Sequence, residues 1–190
     1  MFFHSINETL SLSLLHPRMA PELYRLVDDN RAHLSQWLGW VAQTTSPADS
    51  AGFIRQSLHD YADGKRLICG LHYTPRTRPL LVGTVSFNEI MPATGRASLG
   101  YWLDERWQGR GLMTQACQAM IRLALEEYAL EKVQISAATG NTRSRAVCER
   151  LGATLEGVIT RAESVNGVVY DHAVYGLSRD DAAPWREAEQ

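Results

Sequence analysis

The residues Gln108-Gly-Arg-Gly-Leu-Met-Thr114 combine two glycines, a cation and the start of an apolar helical pattern. Gly109 and Gly111 permit a tight turn and let the backbone approach a ligand with no Cβ between them. The first amides of the helix that follows have no intrahelical acceptor and stand at the positive end of its dipole. That arrangement receives phosphate, and Arg110 adds a cation suited to a diphosphate. The same spacing also describes a strand-to-helix turn with no ligand. A dinucleotide fingerprint needs a third glycine where Thr114 stands, and a nucleotide P-loop needs Gly-Lys followed by Ser or Thr, which is absent. Further along, Asn141 has the residue type of a helix cap, and Ser144 lies one turn on at the same end. Both can face a cleft beside the preceding strand, although capping alone accounts for Asn141.

The elements that must hold these groups follow from periodicity. Leu10, Leu12 and Leu14 alternate with serines, which predicts a half-buried strand. Pro21 opens a helical stretch with Leu23, Leu26 and Val27 on one face. Ser46 and Pro47 start another helix, which Gly64 ends. Leu67–Tyr73 and Leu80–Ile90 read as strands of an antiparallel hairpin, and Ser98–Asp104 as a third strand. A helix is expected over 112–130, a strand over 133–139 and a second helix over 141–151. Val165-Asn-Gly-Val168 signals a tight hairpin turn, and the residues after Ser178 read as a polar, frayed tail. This order predicts an α/β (α+β) fold with a mixed central sheet and helices on both faces, in one domain over residues 1–190.

Composition bounds the partners. The 190 residues are 45% apolar and 21% charged, with a formal net charge of −2. So neutral a chain has no general pull on nucleic acid or anionic lipid. Cys69, Cys117 and Cys148 are too scattered for a disulfide framework or thiolate zinc site. The histidines lack metal-ligand spacing, so no metal is expected. The opening Met1-Phe-Phe-His-Ser5 does not read as a signal peptide, and no apolar run approaches a membrane span. A cytoplasmic protein is the expectation.

Three ordered blocks carry a family resemblance. Gln108-Gly-Arg-Gly-Leu-Met113 resembles the Gln/Arg-x-x-Gly-x-Gly/Ala signature of the GNAT N-acetyltransferases, with Met113 in a place where the RimJ/RimL-type branch also carries Met. The stretch from Asn141 through Ser144 to Gly157 is similar to the family's Asn-x-x-Ser block, with Ala153 replacing the common aromatic. Leu155 to Asp171 is similar to the RimL-type ending, and the segment from Val27 to Trp40 matches the amino end. The resemblance spans roughly residues 8–178.

It implies a GNAT fold whose adjacent parallel strands, Ser98–Asp104 and Val133–Thr139, splay around the pantetheine arm of acetyl-CoA. Gln108, Gly109, Arg110, Gly111, Leu112, Met113 and Thr114 would then hold the pyrophosphate, with Trp102, Leu103 and Asn141 along the cofactor. The implied base is Glu163, with Ser144 at the acid position near the sulfur. Glu89 is the rival base, and Tyr170, Asp171 and His172 are weaker candidates. Trp37 and Trp40 would wall the acceptor cleft, although core packing is the commoner use of a tryptophan. Asp28 and Asp29 could steer a cationic amine or simply end a helix in solvent. The implied reaction is direct acetyl transfer to an α-amine, first of all a protein N-terminus. A small-molecule amine and a non-catalytic acyl-CoA-binding module are the alternatives. Family habit suggests a homodimer.

Overall fold

The computed structural model describes residues 2–182. Strands β1 (Phe3–Ser5), β2 (Leu10–Leu14), β3 (Leu67–Tyr73), β4 (Leu80–Met91), β5 (Arg96–Leu103), β6 (Lys132–Ala138), β7 (Thr154–Val165) and β8 (Val168–Ser178) form one sheet in the order β1-β2-β3-β4-β5-β6-β8-β7. The helices are α1 (Ala20–Asp29), α2 (Arg31–Leu34), α3 (Pro47–Ala62), α4 (Leu112–Glu126) and α5 (Thr142–Arg150).

Alternation along the strands sorts two cores. On β3, Leu67, Cys69 and Leu71 face one way and pack with Met120, Ile121 and Ala124 of α4 and Cys148 of α5. Ile68 faces the other way, toward Leu23 and Val27 of α1 and Ile54 of α3. Helices therefore cover both faces, as period-two strands and period-3.6 helices require. Ser46 and Asp49 close a reciprocal capping box at the start of α3, and Pro47 occupies its first turn.

Most pairings are antiparallel; β5 and β6 run parallel, and only from Arg96–Lys132 to Leu99–Ile135. β5 continues to Leu103 and β6 to Ala138 without that pairing, so the sheet opens between them. On its other edge β6 pairs with β8 along its whole length, which holds one wall of the gap rigid.

The structure corrects several sequence expectations. The helix expected over 112–130 stops at Glu126, and Ala129 takes a positive φ of 51° before β6. The short edge strand β1 carries too few residues to show alternation. The tail does not begin as a frayed segment. Arg179 donates to the carbonyls of Leu125 and Leu130, and Ala182 is buried. Residues 183–190 of that tail lie outside the described residues.

Candidate active site

The gap between β5 and β6 opens into a cavity of about 950 Å³. Ser98 to Trp102 and Ile135 to Ala138 line it from the two strands, and Asn141 and Ser144 from the start of α5. Glu163, Tyr170 and His172 enter from the β7–β8 hairpin, and Trp37 and Trp40 from the segment after α2. Six residues placed there by sequence reading, Trp37, Trp40, Trp102, Asn141, Ser144 and Glu163, thus share one space. Glu89 does not: it is exposed and lies outside the lining. Asp28 pairs with Arg31 at 2.9 Å, and neither it nor Asp29 lines the cavity.

Two irregularities in the strands aim polar groups inward. The β4–β5 register shifts between Phe87 and Glu89, which turns Asn88 into the cavity. A Cβ on Gly100 would stand 2.3 Å from the Asn88 amide nitrogen, so this close approach needs a glycine. The β7–β8 register shifts between Ile159 and Glu163, with Arg161 at a φ of 53°. The Arg161 N–H donates to Asp171 at 2.7 Å and pins that bulge. Glu163 then stands beside His172, with 3.2 Å between Oε2 and Nε2.

At the start of α5, the Tyr101 hydroxyl donates to the Ser144 carbonyl at 3.0 Å and lies 3.1 Å from the Ser144 hydroxyl. Burial pushes the Tyr101 pKa well above its ordinary value, so the phenol keeps its proton. Sequence reading missed Tyr101, because an aromatic residue inside an apolar strand looks like core. Asn141 acts as a cap, its side chain accepting from the Ser144 N–H at 3.1 Å, and also lines the cavity.

The main chain supplies the rest. The Asp104 N–H donates to Val82 of β4, and the Trp102 carbonyl lies against Gly83 of β4. Strand alternation then turns Leu103 toward the gap. Trp102 therefore offers the cavity its indole rather than its backbone. That ring packs against Trp40 at 6.1 Å between centroids, as Trp37 packs against Tyr170 at 5.6 Å.

The turn after β5 has the expected form, with Gly109 and Gly111 at φ values of 72° and 74°. Gly111 caps α4 with no side-chain bond, so the amides of Leu112, Met113 and Thr114 stay open to a ligand. The Leu112 and Met113 side chains are buried in the core and contribute main chain alone. Gln108 is a brace: its amide nitrogen donates to the Leu103 carbonyl and lies 2.8 Å from His33 Nε2, while Arg143 donates to its oxygen at 2.6 Å. Arg110 lies 5.0 Å over the Trp107 ring. A Cβ at Gly109 would meet nothing within 4 Å, so the outer face of the turn is open, as an anion cradle requires. Among the described residues, no group of three or more His, Cys, Asp or Glu side chains is placed to hold a metal.

A splayed parallel pair and a glycine turn feeding a helix N-terminus are the features that the GNAT resemblance implies. The chain belongs to that family: the Acetyltransferase (GNAT) domain profile matches residues 9–154. It is 30% identical to the ribosomal-protein-serine acetyltransferase of Escherichia coli (strain K12), over 90% of this chain and 93% of that protein. Among solved structures, it superposes with a TM-score of 0.88 on RimL, a ribosomal L7/L12 alpha-N-protein acetyltransferase in complex with coenzyme A. That match has 29% identity over 95% of this chain and 99% of RimL. The microcin C7 self immunity acetyltransferase MccE, in complex with acetyl-CoA and AMP, matches with a TM-score of 0.86. The identity is 34%, over 91% of this chain and 94% of that one.

Proposed function

We propose that the chain transfers acetyl from acetyl-CoA to the α-amine of a protein N-terminus, with a ribosomal protein as acceptor. One observation carries the reading: Glu163 and the Tyr101–Ser144 pair line a single cavity where β5 and β6 part. The names of the E. coli relative and of RimL support a protein acceptor.

Acetyl-CoA supplies an acetyl group already activated as a thioester. The chain supplies binding, polarisation and proton transfer. The open amides of Leu112, Met113 and Thr114 hold the diphosphate, with Arg110 beside them. Leu103 gives the unpaired strand a backbone edge for the extended arm and a donor for the carbonyl as charge develops on its oxygen. Trp37 and Trp40 wall the acceptor side. Glu163 takes a proton from the amine, which attacks only when neutral. The Ser144 hydroxyl stands as donor for the departing sulfur, with the Tyr101 phenol beside it. Holding both substrates in one cavity permits direct transfer without a covalent enzyme intermediate.

A second reading is an amine carried on a small nucleotide-like molecule. The AMP in the MccE complex favours it. So do Trp40 and Phe53, which line the cavity yet remain 39% and 45% exposed, leaving faces on which a planar ring can stack. A panel of N-terminal peptides and aminoacyl nucleotides, scored by thiol release and mass of the product, separates the two. Acetylated peptide is expected; hydrolysis without any acetylated amine removes both readings and leaves a binding module.

We further read the chain as a cytoplasmic homodimer. β7 is a free edge strand exposed at every residue but Val165, and it places Leu155, Val158 and Ile159 in solvent. A second copy pairing on this edge covers them. Analytical ultracentrifugation that finds a monomer at micromolar concentration removes this part of the reading.

A further inference from the structure

We propose that His172 is a positioning residue for Glu163 and the first acceptor of the proton that Glu163 removes. The inference rests on the acetyl-transfer reading and adds to it a second member of the base. The two side chains come from opposite strands of the β7–β8 hairpin, and the bulge at Arg161 sets their meeting. His172 Nε2 stands 3.2 Å from Glu163 Oε2. Both line the cavity, with the imidazole side chain 18% exposed and the carboxylate 45% exposed.

An exposed glutamate on a free-edge hairpin samples many rotamers, and a fixed imidazole beside it restricts them to those facing the cavity. With its proton on Nε2 the ring donates to the carboxylate and holds it, and with its proton on Nδ1 the Nε2 lone pair takes the proton that the carboxylate receives. One ammonium proton moves to Glu163 and on to His172. As the C–N bond forms and the C–S bond breaks, one of the two protons left on nitrogen is given up to balance the one the thiolate takes, and the other stays on the amide. Protonated His172 returns its proton to solvent.

The charged surroundings are few. Across the strand pair, Ala138 of β6 faces His172. Asp171 is held by the Arg161 N–H, and Tyr170 packs on Trp37. The other charged side chains lining the cavity are Asp49 of α3 and Arg66 before β3. Asp49 is engaged by Thr45 and Ser46 in the capping box, and Arg66 lies 3.6 Å from Asp60.

The test follows kcat against pH for wild-type chain, His172→Gln and His172→Asn, with acetyl-CoA and a peptide bearing a free N-terminal serine. Wild type should show one inflection on the acid side of its profile. Each variant should keep its KM for the peptide and its thermal stabilisation by coenzyme A. Each should lose about tenfold in kcat, and the inflection should move to more acid pH. A variant whose kcat falls with the inflection unmoved would mark a structural role and overturn the proposal. So would an unchanged kcat, or a wild-type profile without that inflection, whatever the variants do. Absence of acetylated peptide with wild type would instead remove the transfer reading itself.

Discussion

The Tyr101 hydroxyl lies 3.1 Å from the Ser144 hydroxyl, joining the unpaired end of β5 to the first turn of α5 across the floor of the cavity. The phenol also donates to the Ser144 carbonyl, which fixes its direction. It therefore holds its place beside the Ser144 hydroxyl, from which its oxygen can accept.

Tyr101→Phe should lower kcat about tenfold, equivalent to ~1.4 kcal/mol, with the affinity for coenzyme A unchanged. Because burial raises this phenol above its ordinary value of 10.0, wild-type activity should show no alkaline loss from its ionisation up to that pH. Steady-state kinetics of the two proteins, with isothermal titration of coenzyme A, checks both statements.

Glu163→Gln should reduce acetyl transfer by about a hundredfold or more while sparing cofactor binding, since the amide keeps the shape and loses the base. Thermal stabilisation by saturating coenzyme A should match wild type. Glu89→Gln, outside the cavity, should leave turnover within twofold. Reversed results would transfer the role of base to Glu89.

Gly111→Ala should weaken coenzyme A binding and destabilise the fold by about 1 kcal/mol, because φ at this position is 74° and an L side chain is strained there. Calorimetric titration reads the first effect and urea unfolding the second. The turn is an anion cradle in this account, so a variant that binds coenzyme A like wild type contradicts it.

Ser46→Ala should cost about 1 kcal/mol, by opening the capping box of α3. Hydrogen bonds from Thr45 and Ser46 hold the Asp49 carboxyl below its ordinary value of 3.8. A depressed folded-state pKa adds stability above the unfolded value, and that stability drains away as pH falls through the folded one. The melting difference between wild type and Asp49→Asn should therefore be full at neutral pH and vanish in strong acid.

Much of this architecture was legible in the chain. The alternation of Leu10, Leu12 and Leu14, the Ser46-Pro47 helix start and the Asn166-Gly167 turn each signal their element locally, and each formed. In that turn Asn166 and Gly167 take φ values of 50° and 85°, as the tight hairpin demands. The glycine turn was legible for the same reason, since its chemistry lies in consecutive residues. Tyr101, Asn88 and the pairing of His172 with Glu163 were not. Each depends on a strand bulge or a sheet opening, which brings together residues on different elements and leaves no local pattern. Gln108 shows the converse: its position in the motif was plain, but its work as a brace between Leu103, His33 and Arg143 appears only in three dimensions.

The central claim is that the cleft between β5 and β6 moves acetyl from acetyl-CoA to an N-terminal amine. Incubation of the full chain with acetyl-CoA and the serine-initiated peptide, followed by tandem mass spectrometry, tests it most directly. The account predicts one acetyl group on the peptide α-nitrogen, formed in step with free thiol and lost in Glu163→Gln. Thiol release with an unmodified peptide and no modified amine in the wider panel would contradict it.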